Sequence, residues 1–333
     1  MQEEFHRVLD HYYLRLYNNC FFVVAGERHL SCGFIGYVKY CPLSTRSSQW
    51  VFQGLPLERL VKWYEVKEIY EGTPWRIYVP YYDAVLPYAP RAHVVRVYNP
   101  VERFMEIISS PRDILEASAA RMYSYLGDLT GSLNELGVTG SLLPGIHNPE
   151  RSDIDLVVYG WRMAVDLLEG ISENKDIFKP LTGGRLYEWA VRVSERTGLT
   201  LKQAIALQRN WRRGVFNGRE YSIIYSSGVH GLSASERFFK TLGVIEAEVS
   251  LAGGVEALNY PSRSRVDRYK VIRGVVPPAD ILFVESFESL YIPLLYEGGK
   301  AFTRGLLQCS RGECRILVGV IEEKGLIAPV QQA

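Results

Sequence analysis

A tight glycine turn followed directly by a strand with two aspartates is the feature that most constrains the fold of this chain, and it occupies residues 140–160. Successive side chains of a strand point to opposite faces, so Asp153 and Asp155 share one face while Ile154 points into the core behind them. Two parallel carboxylates are hard-oxygen ligands that suit Mg²⁺ or Mn²⁺. The strand therefore predicts a metal site at Asp153 and Asp155.

The turn before this strand has the composition of an anion site. Gly140 and Gly145 allow the chain to turn tightly and bring backbone N–H groups close to a phosphate. The hydroxyl groups of Ser141 in the turn and Ser152 at the entry to the strand add donors. We therefore predict that these four residues bind the phosphates of a ligand.

This arrangement resembles the nucleotidyltransferase superfamily, the polymerase-beta-like fold, whose signature is a Gly-Ser turn followed by an Asp-x-Asp strand. More narrowly, the chain is similar to an archaeal group of predicted nucleotidyltransferases that keep Gly-Val-Thr-Gly-Ser-Leu-Leu and His-Asn-Pro, here residues 137–143 and 147–149. The resemblance implies that Gly140 and Ser141 hold a nucleoside triphosphate and that Asp153 and Asp155 bind the catalytic metal.

The family usually adds a third carboxylate from a nearby strand. Glu220 is the only acidic residue of the strand predicted over residues 220–225, which follows the Asn217-Gly218 turn. We assign Glu220 as the third catalytic carboxylate beside Asp153 and Asp155. The alternative is a solvent-facing hairpin residue, in which case the site has one ligand fewer.

The triphosphate also needs cations, and the turn itself supplies none. Related enzymes often have an arginine shortly after the serine, whereas Leu142 follows it here. A helix predicted over residues 201–213 would place Arg209 and Arg213 on one face, four residues apart. We assign both to phosphate binding; the alternative is that they only complement the C-terminal end of the helix dipole.

The remaining pattern predicts an α+β protein with three regions. Residues 1–105 read as a β-rich N-terminal domain, with a helical piece over residues 57–70. Residues 106–235 would form a central polymerase-beta-like nucleotidyltransferase core, in which one helix from Pro111 to about Leu136 leads into the glycine turn. Residues 236–333 contain strands at regular intervals, which suggests a small closed β-barrel.

The composition limits the kinds of binding partner that we expect. The net charge of +1 argues against a strongly basic surface that binds nucleic acid by charge alone, but it leaves room for local basic faces. No apolar run is long enough to cross a membrane, so a cytoplasmic protein is expected. The five cysteines lack paired Cys-x-x-Cys zinc knuckles. Cys309 and Cys314 flank a predicted hairpin tip where a bridge would fit. Few amide and many arginine and tyrosine residues favour a thermophilic source.

Two functional interpretations remain open. The first is a metal-dependent nucleotidyltransferase that moves a nucleoside monophosphate from a triphosphate to a macromolecular acceptor, with RNA favoured by the aromatic N-terminal strands and the barrel. Those aromatic residues fit the core and rim of a small β domain better than a base-stacking surface, because strands favour aromatic residues in any case. The second interpretation is a catalytically degenerate transferase fold that serves as an RNA-binding or assembly protein.

Overall fold

The structure is a computed structural model that describes residues 8–43, 48–131, 133–230, 232–234 and 238–330. Its described residues form seven α-helices and 21 strands, and the strands make four sheets. The protein is therefore a mixed α+β protein, as the sequence predicts. None of the helices in these ranges is long and apolar enough to cross a bilayer.

The N-terminal region is a β structure with one helix. Its elements are β1 (Tyr13–Leu16), β2 (Phe21–Val24), β3 (Arg28–His29), β4 (Gly33–Pro42), β5 (Trp50–Phe52), β6 (Leu55–Arg59), α1 (Val66–Gly72), β7 (Arg76–Val79), β8 (Ala84–Pro90) and β9 (Val94–Tyr98). The main sheet runs β5-β6-β4-β2-β1-β9, and β8 joins it by pairing with β4 and β7. Most aromatic side chains of these strands are buried, so they build the core.

The central region places helices around a five-stranded sheet. Its elements are α2 (Pro100–Ser109), α3 (Ile114–Thr130), β10 (Leu136–Val138), β11 (Ile154–Tyr159), α4 (Trp161–Glu173), β12 (Phe178–Pro180), α5 (Gly183–Thr197), α6 (Leu201–Ala206), β13 (Arg213–Phe216), β14 (Arg219–Ser226) and β15 (Leu232–Ser233). The sheet order is β10-β11-β14-β13-β12, with only β11 and β14 parallel. β15 pairs with β3 of the N-terminal region.

The C-terminal region contains the predicted barrel. Its elements are β16 (Lys240–Leu251), β17 (Ser262–Gly274), β18 (Ile281–Ser286), α7 (Ile292–Glu297), β19 (Gly299–Ser310), β20 (Glu313–Val318) and β21 (Leu326–Pro329). Five strands close on themselves in the order β16-β17-β18-β20-β19, because β16 pairs with both β17 and β19. β21 adds to the outer edge of β19. The prediction of a small closed barrel is confirmed.

Three predicted helices differ from the structure. Residues 57–64 do not join a helix, since β6 pairs with β4 and β5 as a strand and Tyr64 has a positive φ of 59°. The helix expected from Pro111 to Leu136 begins at Ile114, after the N-cap Asp113, and ends at Thr130. The helix expected over residues 201–213 ends at Ala206, although Thr200 caps its start as predicted.

Shared hydrophobic clusters join the three regions. Leu14 and Phe22 of the N-terminal sheet pack in one cluster with Val157 and Tyr159 of β11. A second cluster joins other N-terminal residues to Leu306 of the barrel, and a third joins α5 and α6 to the barrel. Because buried side chains interdigitate at crystal-like density, these clusters fix the regions relative to one another.

The described residues form two disulfides. Cys309 and Cys314 are bonded across the tip of the β19–β20 hairpin, where the sequence predicted that a bridge would fit. Cys20 and Cys41 are also bonded, which the sequence did not predict. Cys32 is an exposed free thiol.

Candidate functional site

The parallel pairing of β11 and β14 brings the predicted acidic residues together. Ile154 lies opposite Tyr221 and Asp155 opposite Ser222, so Glu220 immediately precedes the first pair on its strand, as Asp153 does on the other. The Ser222 hydroxyl donates a hydrogen bond to Asp155 Oδ1. Since alternate residues share a face, Asp153, Asp155, Glu220 and Ser222 all line the same side of the sheet.

The glycine turn lies directly against Asp155. Thr139 N donates to the backbone oxygen of Asp155 over 2.8 Å, which continues the β10–β11 pairing into the turn. Gly140 then adopts a positive φ of 62°, and a Cβ at this position would lie 2.1 Å from Asp155 Oδ2. Only glycine therefore fits here without moving the carboxylate.

The surroundings of Asp153 raise the pKa of its carboxyl group. Its side chain is solvent-accessible, yet the surrounding cleft removes enough water to raise its pKa to about 6, and the negative charges of Asp155 and Glu220 add to this effect. Arg213 and Arg59 act in the opposite direction. Among the described residues, neither Asp153 nor Asp155 has a cationic partner within ion-pair distance. Within the described residues, arginines therefore offset the charge of the aspartate pair only at longer range.

The predicted phosphate-binding residues divide into two groups. Gly140, Ser141 and Ser152 line one cleft together with both aspartates, whereas Gly145 does not line it and has open space around its Cα. The Ser152 hydroxyl accepts a hydrogen bond from Asn148 N over 3.0 Å, so it holds the turn in shape. The assignment of Gly145 to phosphate binding is not supported by its position.

The predicted arginines do not share a helix face, because α6 ends before both. Arg213 opens β13, lines the cleft and lies 4.0 Å from Glu220. Arg209 also lines the cleft, but its guanidinium forms two hydrogen bonds with the carboxylate of Glu297. Arg209 is therefore already neutralised, which weakens its assignment as a phosphate ligand. Arg212, between them, has a pKa lowered to about 10 by burial.

The N-terminal sheet supplies two cations that the sequence analysis missed. Lys39 on β4 is only 5 % exposed, and Arg59 on β6 lies beside it, both lining the cleft. Burial alone would lower the pKa of Lys39, but the oxygens of surrounding tyrosines outweigh it and keep the pKa above its ordinary value. Lys39, Arg59 and Asp155 all act on Tyr64, so this wall faces the acidic residues.

The cleft has a volume of about 790 Å³ and is lined by all three regions. Its lining includes Trp63 and Trp189, with the Arg192 guanidinium 5.9 Å from the Trp63 ring. Glu288 of the barrel segment closes one side. Among the described residues that line it, nine lysines and arginines face six carboxylates, so the cleft has a local positive excess that the near-neutral whole chain hides.

A separate cluster of Asp113, Glu116 and His147 brings three ligand atoms within 4.8 Å of one another. These groups already have internal partners. Glu116 pairs with Arg103, and His147 Nε2 lies 2.8 Å from Asp113, which also caps α3. The three residues do not line the cleft, so we read the cluster as a scaffold for the loop before β11.

The acidic face of β11 and β14 is a better cation site than this cluster. It offers carboxylate oxygens from Asp153, Asp155 and Glu220, the hard donors that Mg²⁺ and Mn²⁺ prefer. Ser222 orients one of these ligands through a hydrogen bond, as outer residues of metal sites commonly do. Because no close ion pair to either aspartate is formed among the described residues, this donor set fits a divalent cation.

Comparison with known proteins gives no further guide to this site. No family model, no curated protein and no solved structure matches the chain.

Proposed function

We propose that the protein is a metal-dependent nucleotidyltransferase of the polymerase-beta-like fold, which transfers a nucleoside monophosphate from a nucleoside triphosphate to an RNA acceptor. One observation carries this proposal: Asp153, Asp155 and Glu220 share one face of two parallel strands, directly against the Gly140 turn, and the aspartates have no cationic partner among the described residues. Two adjacent like charges destabilise a protein unless a cation offsets them.

The three carboxylates have distinct environments in this proposal. Asp155 is fixed by Ser222 and by the Gly140 turn, and it would be the firmly held metal ligand. Asp153 and Glu220 are more accessible to solvent and would complete the coordination. A divalent cation held there would neutralise phosphate charge and orient the reacting oxygens. The backbone at Gly140 and the hydroxyl of Ser141 would bind the phosphates.

The choice of an RNA acceptor depends on the lining of the cleft. Trp63 is 53 % exposed at the edge of the cleft, with Arg192 beside its ring. Exposed aromatic rings next to arginines are typical of surfaces that stack single-stranded bases. The positive excess of the cleft supports a polyanionic acceptor rather than a neutral small molecule.

The position of Glu220 favours this function over a degenerate fold that only binds RNA. Had Glu220 faced away from Asp153, the site would lack a third carboxylate. Instead, Glu220 is one of the charges that raise the pKa of Asp153. A degenerate protein would have no use for three acidic side chains beside a positively lined cleft.

The test is calorimetric titration of the four nucleoside triphosphates, with and without Mg²⁺, into the wild type and Asp153→Asn. We expect metal-dependent binding of at least one triphosphate that is lost in Asp153→Asn, without loss of thermal stability. Asp166→Asn is the matched control, since it removes the same charge from the exposed side of α4. Unchanged metal-dependent affinity in Asp153→Asn, or no binding by any triphosphate to the wild type, would contradict the proposal.

A further inference from the structure

Lys39 is a buried cation that pairs with no carboxylate of the described residues. It is 5 % exposed, and it takes part in none of the ion pairs formed by the described residues. Its Nζ lies over the rings of Tyr13, Tyr40 and Tyr64 at 5.9, 5.6 and 5.3 Å. Aromatic faces attract an ammonium group, but they do not carry the negative charge that would neutralise it.

The tyrosine oxygens stabilise the ammonium form, but no carboxylate of the described residues neutralises its charge. Removing an ammonium from water without a counter-ion is strongly unfavourable, and a neutral side chain of similar size would fill the same space at lower cost. Lys39 nevertheless contributes to the lining of the 790 Å³ cleft, so a ligand in the cleft has access to it. The charge is therefore better explained by a ligand than by packing.

Arg59 provides a second cation on the neighbouring strand. The backbone N–H of Leu60 donates to the oxygen of Lys39 over 2.9 Å, which keeps the ends of β4 and β6 together. The Arg59 Nε donates to Val61 O, and its other two nitrogen atoms form no ion pair with a carboxylate of the described residues. Its guanidinium lies 5.3 Å from the Tyr64 ring, and the field of Asp155 reaches it.

The geometry points to Lys39 and Arg59 as the seat for the terminal phosphates of the triphosphate, a deepening that rests on the proposed function. The Gly140 turn and the metal would hold the phosphate nearest the nucleoside beside Asp155, while the two cations on the opposite wall bind the pyrophosphate end. A chain of three phosphates can contact both the wall with Asp155 and the opposite wall with Lys39 and Arg59, whereas a single phosphate can contact only one of them. The N-terminal region thereby selects triphosphates over monophosphates.

The first experiment titrates inorganic pyrophosphate, without metal, into the wild type, Lys39→Met and Lys175→Met. We expect the wild type to bind pyrophosphate and Lys39→Met to bind at least tenfold more weakly, because a charged hydrogen bond is lost. Lys175→Met is the matched control, because Lys175 is an exposed lysine that does not line the cleft, and its affinity should stay within twofold. Arg59→Gln, at a less buried position, should show the same direction if Lys39→Met does not fold.

Several outcomes would overturn the inference. Pyrophosphate affinity within twofold of wild type in both folded Lys39→Met and Arg59→Gln would make the cluster a purely structural one. A loss of affinity for a short RNA oligonucleotide with unchanged pyrophosphate affinity would assign the cations to the acceptor instead. Thermal unfolding of each variant shows that it is folded before its binding is compared.

The two proposals fail separately. If Asp153→Asn loses metal-dependent triphosphate binding while Lys39→Met keeps normal pyrophosphate binding, the transferase proposal stands and the phosphate seat is wrong. If Lys39→Met loses pyrophosphate binding while Asp153→Asn changes nothing, the cleft binds polyphosphate through its cations without a metal-dependent transferase site.

Discussion

Replacing Gly140 by alanine tests whether the turn and Asp155 form one unit. The new Cβ would lie 2.1 Å from Asp155 Oδ2 and 2.9 Å from the Asp155 Cβ, so the carboxylate must move away. Gly140 also has a positive φ of 62°, a conformation that costs alanine about 1–2 kcal/mol. Crowding of this kind adds about 1–3 kcal/mol. We therefore expect Gly140→Ala to lower the free energy of unfolding by about 2–5 kcal/mol.

Gly145→Ala separates the collision from the backbone strain. Gly145 has a similar positive φ of 69°, but a Cβ there meets nothing within 4 Å. This variant should therefore lose only about 1–2 kcal/mol of stability and keep its metal-dependent triphosphate binding. Urea unfolding gives the stabilities, and calorimetry with Mg²⁺ and the triphosphate gives the binding.

The binding result carries the sharper distinction. Displacement of Asp155 breaks its hydrogen bond from Ser222 and removes a metal ligand, so Gly140→Ala should lose metal-dependent binding even where it remains folded. Equal stability and equal binding in the two alanine variants would refute the close packing of the turn against the carboxylate.

Two further predictions concern pH and the disulfides. The pKa of Asp153 is raised from 3.8 to about 6, so between these pH values the folded protein holds a proton that the unfolded chain releases. The ionised Asp153 therefore lowers the free energy of unfolding above pH 6, and this penalty disappears as the pH falls towards 4. Because a metal needs the ionised carboxylate, Mn²⁺ affinity followed by paramagnetic relaxation should rise between pH 5 and 7, and a flat profile would contradict this assignment. Cys20 and Cys41 are 21 residues apart, whereas Cys309 and Cys314 are only 5 residues apart. Loop-closure entropy therefore predicts that the free energy of unfolding falls by about 3 kcal/mol in Cys20→Ser and by about 2 kcal/mol in Cys309→Ser. Urea unfolding with the bonds intact in the wild type measures both, and the reverse order would contradict the entropic argument.

The acidic pair could be recognised from sequence because its geometry is local. Alternation along one strand already places Asp153 and Asp155 on the same face. The position of Glu220 could not be read in the same way, because it depends on the register between two strands more than 60 residues apart in the chain. Pattern alone left it as either a ligand or a hairpin residue, and tertiary pairing decided where it lies.

The mistaken helices have the same cause. Residues after Ala206 have helix-compatible spacing, but tertiary hydrogen bonds outweigh it: Asn210 Nδ2 donates to the backbone oxygens of Ile171 and Phe178. Gln208 Nε2 likewise donates to Arg213 O. Arg209 and Arg213 were therefore assigned to a helix face that does not form. Local propensity gives way where buried polar groups need partners.

Lys39 and Arg59 were missed for a different reason. β4 combines apolar and aromatic residues and β6 is short, and an isolated cation in such a strand carries no signal of its own. Only the docking of the N-terminal sheet against β11 turns these side chains towards the aspartates. The sequence feature that could have indicated Lys39 is a single lysine within an otherwise apolar and aromatic strand.

The cleft is lined by residues from all three regions of the chain, and this determines when it can form during synthesis. Residues from His11 to Pro293 line the cleft, so the walls come from almost the whole length of the chain. A nascent chain that has emerged as far as Ser226 holds all three carboxylates but lacks Glu288 and the barrel segment around it. Contacts of such long sequence separation form late in folding. The complete cleft should therefore form only after the segment around Glu288 has been synthesised, and fragments that end before the barrel should have an incomplete cleft.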